Sequence, residues 1–220
     1  MQKVNFRDTM AQKPSLLIIG NSNVGKTSIT KLLLPNPKDF KGKTGKSPGS
    51  TMLIKTISHP NLQYKISDLP GFGYIKGSSR RREEHTKKQL VIHIEKNYSE
   101  YFFSLIVINI LRIEDELTKY HDSKSNTIPL SYELIQFIKE FKLPILVVIN
   151  KVDKVSDFHK NRIISLFIEK AKTYNILLSP LTKIEESGGI IPYIEFSAIK
   201  KLNLDILKNI INFHLSKKSK

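Results

Sequence analysis

The segment Gly20-Asn21-Ser22-Asn23-Val24-Gly25-Lys26-Thr27 follows an apolar run, Leu16-Leu17-Ile18-Ile19, and leads into Thr27 to Leu34, which has helical character and stops before Pro35-Asn36-Pro37. These eight residues fit G-x-x-x-x-G-K-[ST] at the junction of a strand and a helix. The glycines let the backbone turn so that successive N–H groups face phosphate oxygens, and the helix that follows adds its positive N-terminal end. In such a loop the Lys26 ammonium neutralises the outer phosphates, the Thr27 hydroxyl ligates Mg²⁺, and Ser28 continues the first helical turn. Two glycines at ~7% usage make a chance match about one in two hundred per position, before Lys and Thr are demanded. A chain built around this junction must place a buried strand under a helix, which points to an α/β architecture.

The remaining pattern agrees. Short apolar runs alternate with longer segments of helical period, as in a parallel sheet wrapped by helices. Strands are expected at Leu16 to Ile19, Leu105 to Leu111, Ile145 to Ile149 and Tyr193 to Phe196. Met52 to Ser58 and Leu62 to Ser67 flank His59-Pro60-Asn61 and read as an antiparallel hairpin. After Thr27 to Leu34, further helices are expected at Ser79 to Tyr101 and around the stripes Leu134/Ile135/Ile138/Phe141, Ile163/Ile164/Phe167/Ile168/Ala171 and Leu204/Leu207/Ile210/Ile211. Lys38 to Ser50 shows no apolar period and reads as a mobile loop, and Glu114 to Thr127 is an acidic stretch containing Lys and Ser to which no element is assigned. Six strands, mostly parallel with one antiparallel edge strand, and about five helices result. At 220 residues they suit one domain.

Composition narrows the function classes. Thirty-six Lys and Arg stand against 20 Asp and Glu, a formal charge of +16, which favours polyanionic partners. With no cysteine, disulfide frameworks, thiolate metal sites and cysteine nucleophiles are excluded. The most apolar run, Tyr101 to Leu111, is about half the length of a spanning helix and contains Ser104 and Asn109. No membrane span is expected. The first fifteen residues lack the apolar core of a secretory signal, and a reducing cytoplasm is the expected setting.

Three downstream segments select the nucleotide. Asp68-Leu69-Pro70-Gly71 ends the third expected strand about 40 residues after Lys26, where a D-x-x-G turn brings a carboxylate towards Mg²⁺, through water, and a glycine N–H towards the terminal phosphate. Asn150-Lys151-Val152-Asp153 follows the Ile145 to Ile149 run. A carboxylate at Asp153 can accept two hydrogen bonds from the N1–H and 2-amino group of guanine, a donor pair that adenine lacks. Asn150 would fix that loop and the Lys151 stem would cover the ring. Phe196-Ser197-Ala198, again after a strand, offers a backbone N–H to a base oxygen.

Taken together, these segments resemble a P-loop GTPase of the translation-factor class. The chain is most similar to the EngB (YihA) family within the TrmE–Era–EngA–EngB–septin group, through Gly20 to Lys26, Lys46-Ser47-Pro48-Gly49-Ser50-Thr51 and Asp68-Leu69-Pro70-Gly71-Phe72-Gly73-Tyr74. The likeness runs from about Ser15 to His214. Thr27 stands where the family usually has Ser, which keeps the hydroxyl. The stretch Glu114 to Pro129 is longer than in typical bacterial members and resembles the archaeal branch.

The resemblance implies a three-layer G domain over residues 15–216, with an N-terminal extension at 1–14 and a basic tail at 217–220. It implies a GTP/GDP cycle on Mg²⁺, with Gly49, Ser50 and Thr51 joining the nucleotide site and Thr51 closing over metal and γ-phosphate. It also implies a role in assembly of the large ribosomal subunit, with ribosomal RNA or the subunit as partner, and a link to cell division and septation. A monomer is expected. A nucleotide-dependent switch at the division site with little turnover is the alternative, and a P-loop kinase would leave Asn150 to Asp153 unexplained.

Catalysis would fall to Lys26, Thr51, Gly71 and Asn23. After the D-x-x-G glycine stands Phe72, which cannot accept or direct a proton, so slow hydrolysis is expected of the isolated protein. Asn23 is open to two readings: K⁺ coordination, as in potassium-dependent relatives of the superfamily, or bracing of the loop by side-chain hydrogen bonds. Arg80-Arg81-Arg82 reads as a solvated helix start rather than an internal arginine finger, and no catalytic His is assigned. Of the net charge, Lys38 to Lys55 carries +4, Lys76 to Lys88 another +4 and Lys200 to Lys220 a further +5. GTP alone needs few of these charges.

Overall fold

The computed structural model describes residues 13–40, 54–71, 80–121, 128–181 and 189–218. Among the described residues seven strands form one sheet in the order β2-β3-β1-β4-β5-β7-β6. They are β1 (Ser15–Gly20), β2 (Lys55–Ile57), β3 (Lys65–Asp68), β4 (Tyr101–Asn109), β5 (Ile145–Asn150), β6 (Leu177–Pro180) and β7 (Ile190–Phe196). Among these strands the β2–β3 pair is antiparallel, with Lys55 opposite Asp68 and Ile57 opposite Ile66, and the other pairs are parallel. Among the described residues six α-helices connect the strands: α1 (Lys26–Leu33), α2 (Arg80–Asn97), α3 (Ile110–His121), α4 (Leu130–Glu140), α5 (Asp157–Lys172) and α6 (Leu204–Lys218).

The central strands are buried on both faces, as their unbroken apolar runs require. Along β1, Leu17 and Ile19 join one core while Leu16 and Ile18 join the other. The first core packs α2 through α5 against the sheet, through residues such as Leu90, Ile113, Ile135 and Phe167. The second packs α1 and α6, through Ile29, Leu33, Leu207 and Ile211. The result is the expected three-layer G-domain fold. No described helix is long and apolar enough to cross a membrane.

Two elements depart from the sequence reading. The seventh strand, β6, was not expected; it pairs parallel with β7 at the sheet edge, where Pro180 is tolerated although it lacks a donor. The acidic stretch to which no element was assigned is helical through His121: α3 buries Ile110 and Ile113 while Glu114 and Asp115 face outwards. The strand expected over Leu105 to Leu111 accordingly spans Tyr101–Asn109, and the helix expected to reach Tyr101 ends at Asn97. Glu116 of α3 also serves α4, accepting from the Ser131 N–H at 2.7 Å and from its hydroxyl at 2.9 Å. Since Pro129 gives α4 no side-chain cap, this neighbouring carboxylate supplies one.

Candidate nucleotide site

Parallel strands deliver their C-terminal ends to one edge of the sheet, and the candidate residues lie there. Helix α1 starts at Lys26 with Gly25 at its N-cap and no side-chain cap, so the first N–H groups remain available to an anion. Gly25 has φ 103°, and a Cβ there would collide with Asn150 Nδ2. Glycine is thus demanded by backbone conformation and by close approach together.

The Lys26 side chain is buried and its ammonium donates to the carbonyls of Gly20 at 3.0 Å and Asn21 at 2.8 Å. Burial pushes its pKa down to about 8, against the pull of the Asp68 carboxylate. Thr27 Oγ1 donates to Asp68 Oδ2 at 3.2 Å. A hydroxyl and a fully buried carboxylate thus lie side by side at the strand end, a set of hard oxygen donors that suits Mg²⁺. Beyond Asp68 the chain presses on the phosphate loop: a Cβ on Gly71 would lie 2.7 Å from the Ser22 backbone N.

The base-side segments are tied to the same loop. Asn150, 1% exposed, donates from Nδ2 to the Val24 carbonyl at 2.8 Å and accepts at Oδ1 from the Ala198 N–H at 3.2 Å. Lys151, in the left-handed region at φ 67°, donates from its ammonium to the Asn23 carbonyl at 2.6 Å. Asp153 Oδ1 accepts from the Ser197 hydroxyl at 2.6 Å, the main reason its carboxyl titrates below the usual range. The phosphate, D-x-x-G, N-K-x-D and Ser-Ala segments therefore form one constellation.

Not every candidate side chain faces it. Val24, Leu69, Val152 and Phe196 are buried in the two cores, which leaves their backbone alone for a ligand. The Asn23 side chain makes no hydrogen bond among the described residues; the loop is braced there by its carbonyl. Asn21 Oδ1 is buried without a hydrogen-bond partner among the described residues. Gly49, Ser50, Thr51 and Phe72 lie outside the described residues, and Ser28 is exposed on the first turn of α1. Two contacts were missed in the sequence: the Ser197 hydroxyl on Asp153, and the use of the Lys151 ammonium as a strut to Asn23. Neither has a signal in spacing, since each joins residues far apart in the chain. No group of three His, Asp or Glu side chains among the described residues could hold a metal.

Residues 15–151 match the family model described as 50S ribosome-binding GTPase. A probable GTP-binding protein EngB from Methanococcus aeolicus is 32% identical over 171 residues, covering 76% of this chain and 72% of that one. The chain belongs to the EngB family of GTP-binding proteins. Its EngB relative from Pyrococcus abyssi is 28% identical over 206 residues, covering 94% of this chain and 88% of the other. The crystal structure of a probable GTP-binding protein EngB superposes with a TM-score of 0.72 at 28% identity, over 92% of this chain and 99% of that one. Aquifex aeolicus Era, solved with GDP and AlF4⁻, shares the fold at TM-score 0.58 and 20% identity, over 90% of this chain and 55% of Era. As an EngB-type GTPase the protein binds guanine nucleotide and hydrolyses GTP.

Proposed function

We propose that this EngB-type protein is a Mg²⁺-dependent switch that hydrolyses GTP slowly by itself and acts in assembly of the large ribosomal subunit. The observation that carries the nucleotide half is the linkage of four segments around one phosphate loop, through Asn150 to Val24 and Ala198, Lys151 to Asn23, and Thr27 to Asp68. The backbone N–H groups of Gly20 to Thr27 cradle the phosphates, with Lys26 neutralising their outer charge. Asp153, oriented by Ser197, accepts from the guanine edge, and the Ala198 and Lys151 segments close around the ring. Thr27, Thr51 and, through water, Asp68 would hold Mg²⁺, which when bound draws charge off the phosphate oxygens. The Gly71 N–H meets the terminal phosphate, and Gly49, Ser50 and Thr51 complete the site. Asn23, its side chain left over by the brace at its carbonyl, contributes a ligand to K⁺. Phe72 leaves the attacking water without a side-chain base, so hydrolysis awaits a partner or an ion.

The ribosomal half is supported by the description of the matching family model and by the +16 charge, most of which GTP does not use. Cytoplasmic residence, a monomeric state and ribosomal RNA as the partner follow from the same reading. The test is gradient sedimentation of wild type and Lys26→Ala with large ribosomal subunits and a non-hydrolysable GTP analogue. Salt-sensitive, nucleotide-dependent co-sedimentation of wild type alone is expected. Equal sedimentation in all nucleotide states would overturn the ribosomal reading and favour a switch at the division site.

A further inference from the structure

A second cleft opens at the end of the sheet opposite the nucleotide site. It lies where β4 begins at Tyr101 and where Pro144 leads into β5, one strand length from the loops that follow those strands, about 20 Å along β5 and about 30 Å along β4. Its volume of about 360 Å³ lies within the range of small-ligand sites. Aromatic rings and ammonium groups share its walls. Tyr98, 47% exposed, packs on Phe141 with ring centroids 5.4 Å apart; across the cleft His214 stacks on Phe103 at 4.2 Å. Among the described residues the charged ones lining it are Lys142, Lys217 and Lys218, and no carboxylate joins them.

These lysines differ in what already holds them. Lys218 donates to the Ser99 carbonyl at 2.9 Å and to the Tyr101 carbonyl at 3.3 Å, which pins the end of α6 to the rim. Lys217 sits over the ring of Phe213, 4.4 Å from its centroid, and that ring is itself 49% exposed. Neither Lys142 nor Lys217 has a carboxylate partner among the described residues. Lys142 follows α4 with φ 54°, a turn that carries its side chain to the cleft.

We propose that this cleft binds single-stranded RNA, with Tyr98 stacking on a base and Lys142 and Lys217 meeting the phosphates that flank it. Alternating aromatic and cationic groups are what unpaired nucleotides require: a face for the base and positive charge for the backbone. An acidic peptide would use the lysines but leave the exposed rings without a role. With two ammonium groups, Lys142 and Lys217, beside one exposed ring, a chain with successive phosphates fits better than a nucleoside monophosphate. The inference shares an RNA partner with the ribosomal reading, but it concerns a surface distant from the GTP loops, so RNA binding here is independent of the bound nucleotide.

The test is fluorescence anisotropy of a labelled, unstructured RNA of about ten nucleotides at low salt, with wild type, Tyr98→Ala and Lys142→Glu/Lys217→Glu. Wild type should bind equally with GDP or a GTP analogue. Each variant should bind at least about ten-fold more weakly, while its affinity for a fluorescent GDP analogue stays unchanged and its melting temperature falls by no more than a few degrees, the cost of the ring contacts with Phe141 or Phe213. No binding by wild type, or unchanged affinity in both variants, overturns the proposal. Displacement of the RNA by polyglutamate as readily as by unlabelled RNA overturns the assignment to nucleic acid. The two surface lysine changes keep the test available if Tyr98→Ala folds poorly. Absent RNA binding with subunit sedimentation intact defeats this inference alone, whereas intact RNA binding without nucleotide-dependent sedimentation defeats the ribosomal reading alone.

Discussion

The Ser197 hydroxyl donates to Asp153 Oδ1 at 2.6 Å, so the carboxylate assigned to guanine is aimed by a residue 44 positions further along the chain. Removing that bond in Ser197→Ala should weaken GDP binding roughly ten- to a hundred-fold, since hydrogen bonds to charged groups contribute about 1.5–3 kcal/mol. The bond also holds the Asp153 pKa down. Because the base contact needs the carboxylate, the acid limb of GDP binding should move to higher pH in this variant. Titration of a fluorescent GDP analogue across acidic pH checks both effects; an unchanged affinity and limb would show that Ser197 does not orient Asp153.

Asn150→Ala should lower stability as well as binding. It strips the Val24 carbonyl and the Ala198 N–H of a buried partner at once. At about 1–3 kcal/mol per unsatisfied group, less what water recovers, the loss should be about 2–4 kcal/mol, a fall of roughly 4–16 °C in melting temperature. Calorimetry of the nucleotide-free protein measures it. A change under about 1 kcal/mol would mean that the two loops hold their shape without this bridge.

Lys26 sets an alkaline limit on nucleotide binding. In the nucleotide-free protein its pKa is down to about 8 because the ammonium is desolvated. Phosphate oxygens restore favourable solvation and raise it, so above pH 8 binding should take up a proton and affinity should fall, approaching ten-fold per unit. Without nucleotide the sign reverses: between about pH 8 and the ordinary lysine value the unfolded chain keeps the proton that the folded chain has lost, so stability contributed by this group rises with pH. Titration calorimetry at pH 8.5 in buffers of different ionisation enthalpy should detect the uptake, and identical heats in all buffers would contradict it.

GTP turnover by wild type should be faster in K⁺ than in Na⁺, and Asn23→Ala should abolish the difference without large loss of GDP affinity. The backbone brace from Lys151 to the Asn23 carbonyl survives that substitution. Equal wild-type rates in the two salts would remove K⁺ from the site.

The sequence pattern revealed elements whose apolar residues are contiguous or periodic, and the sheet centre is made of these. Strand β6 escaped because Leu177 is half exposed and Pro180 closes a four-residue run, so an edge strand buried on one side offered neither signal. Helix α3 escaped for another reason: Ile110, Ile113 and Leu117 keep helical spacing, but Ile110 and Leu111 continue the apolar run of β4 and Glu114, Asp115 and Glu116 break the stripe after it. Individual site residues were legible because each sits in a short local motif. What joins them was not, since the contacts of Asn150 with Val24 and of Lys151 with Asn23 span 126 and 128 residues and depend on β5 lying two places from β1 in the sheet.

That separation has a consequence during synthesis. A nascent chain that has reached Thr27 carries the whole phosphate motif, yet the Val24 carbonyl lacks its partner until Asn150 emerges, and the Ala198 N–H that completes the contacts of Asn150 arrives later still. Tight capture of guanine nucleotide thus becomes available only when most of the polypeptide has left the exit tunnel.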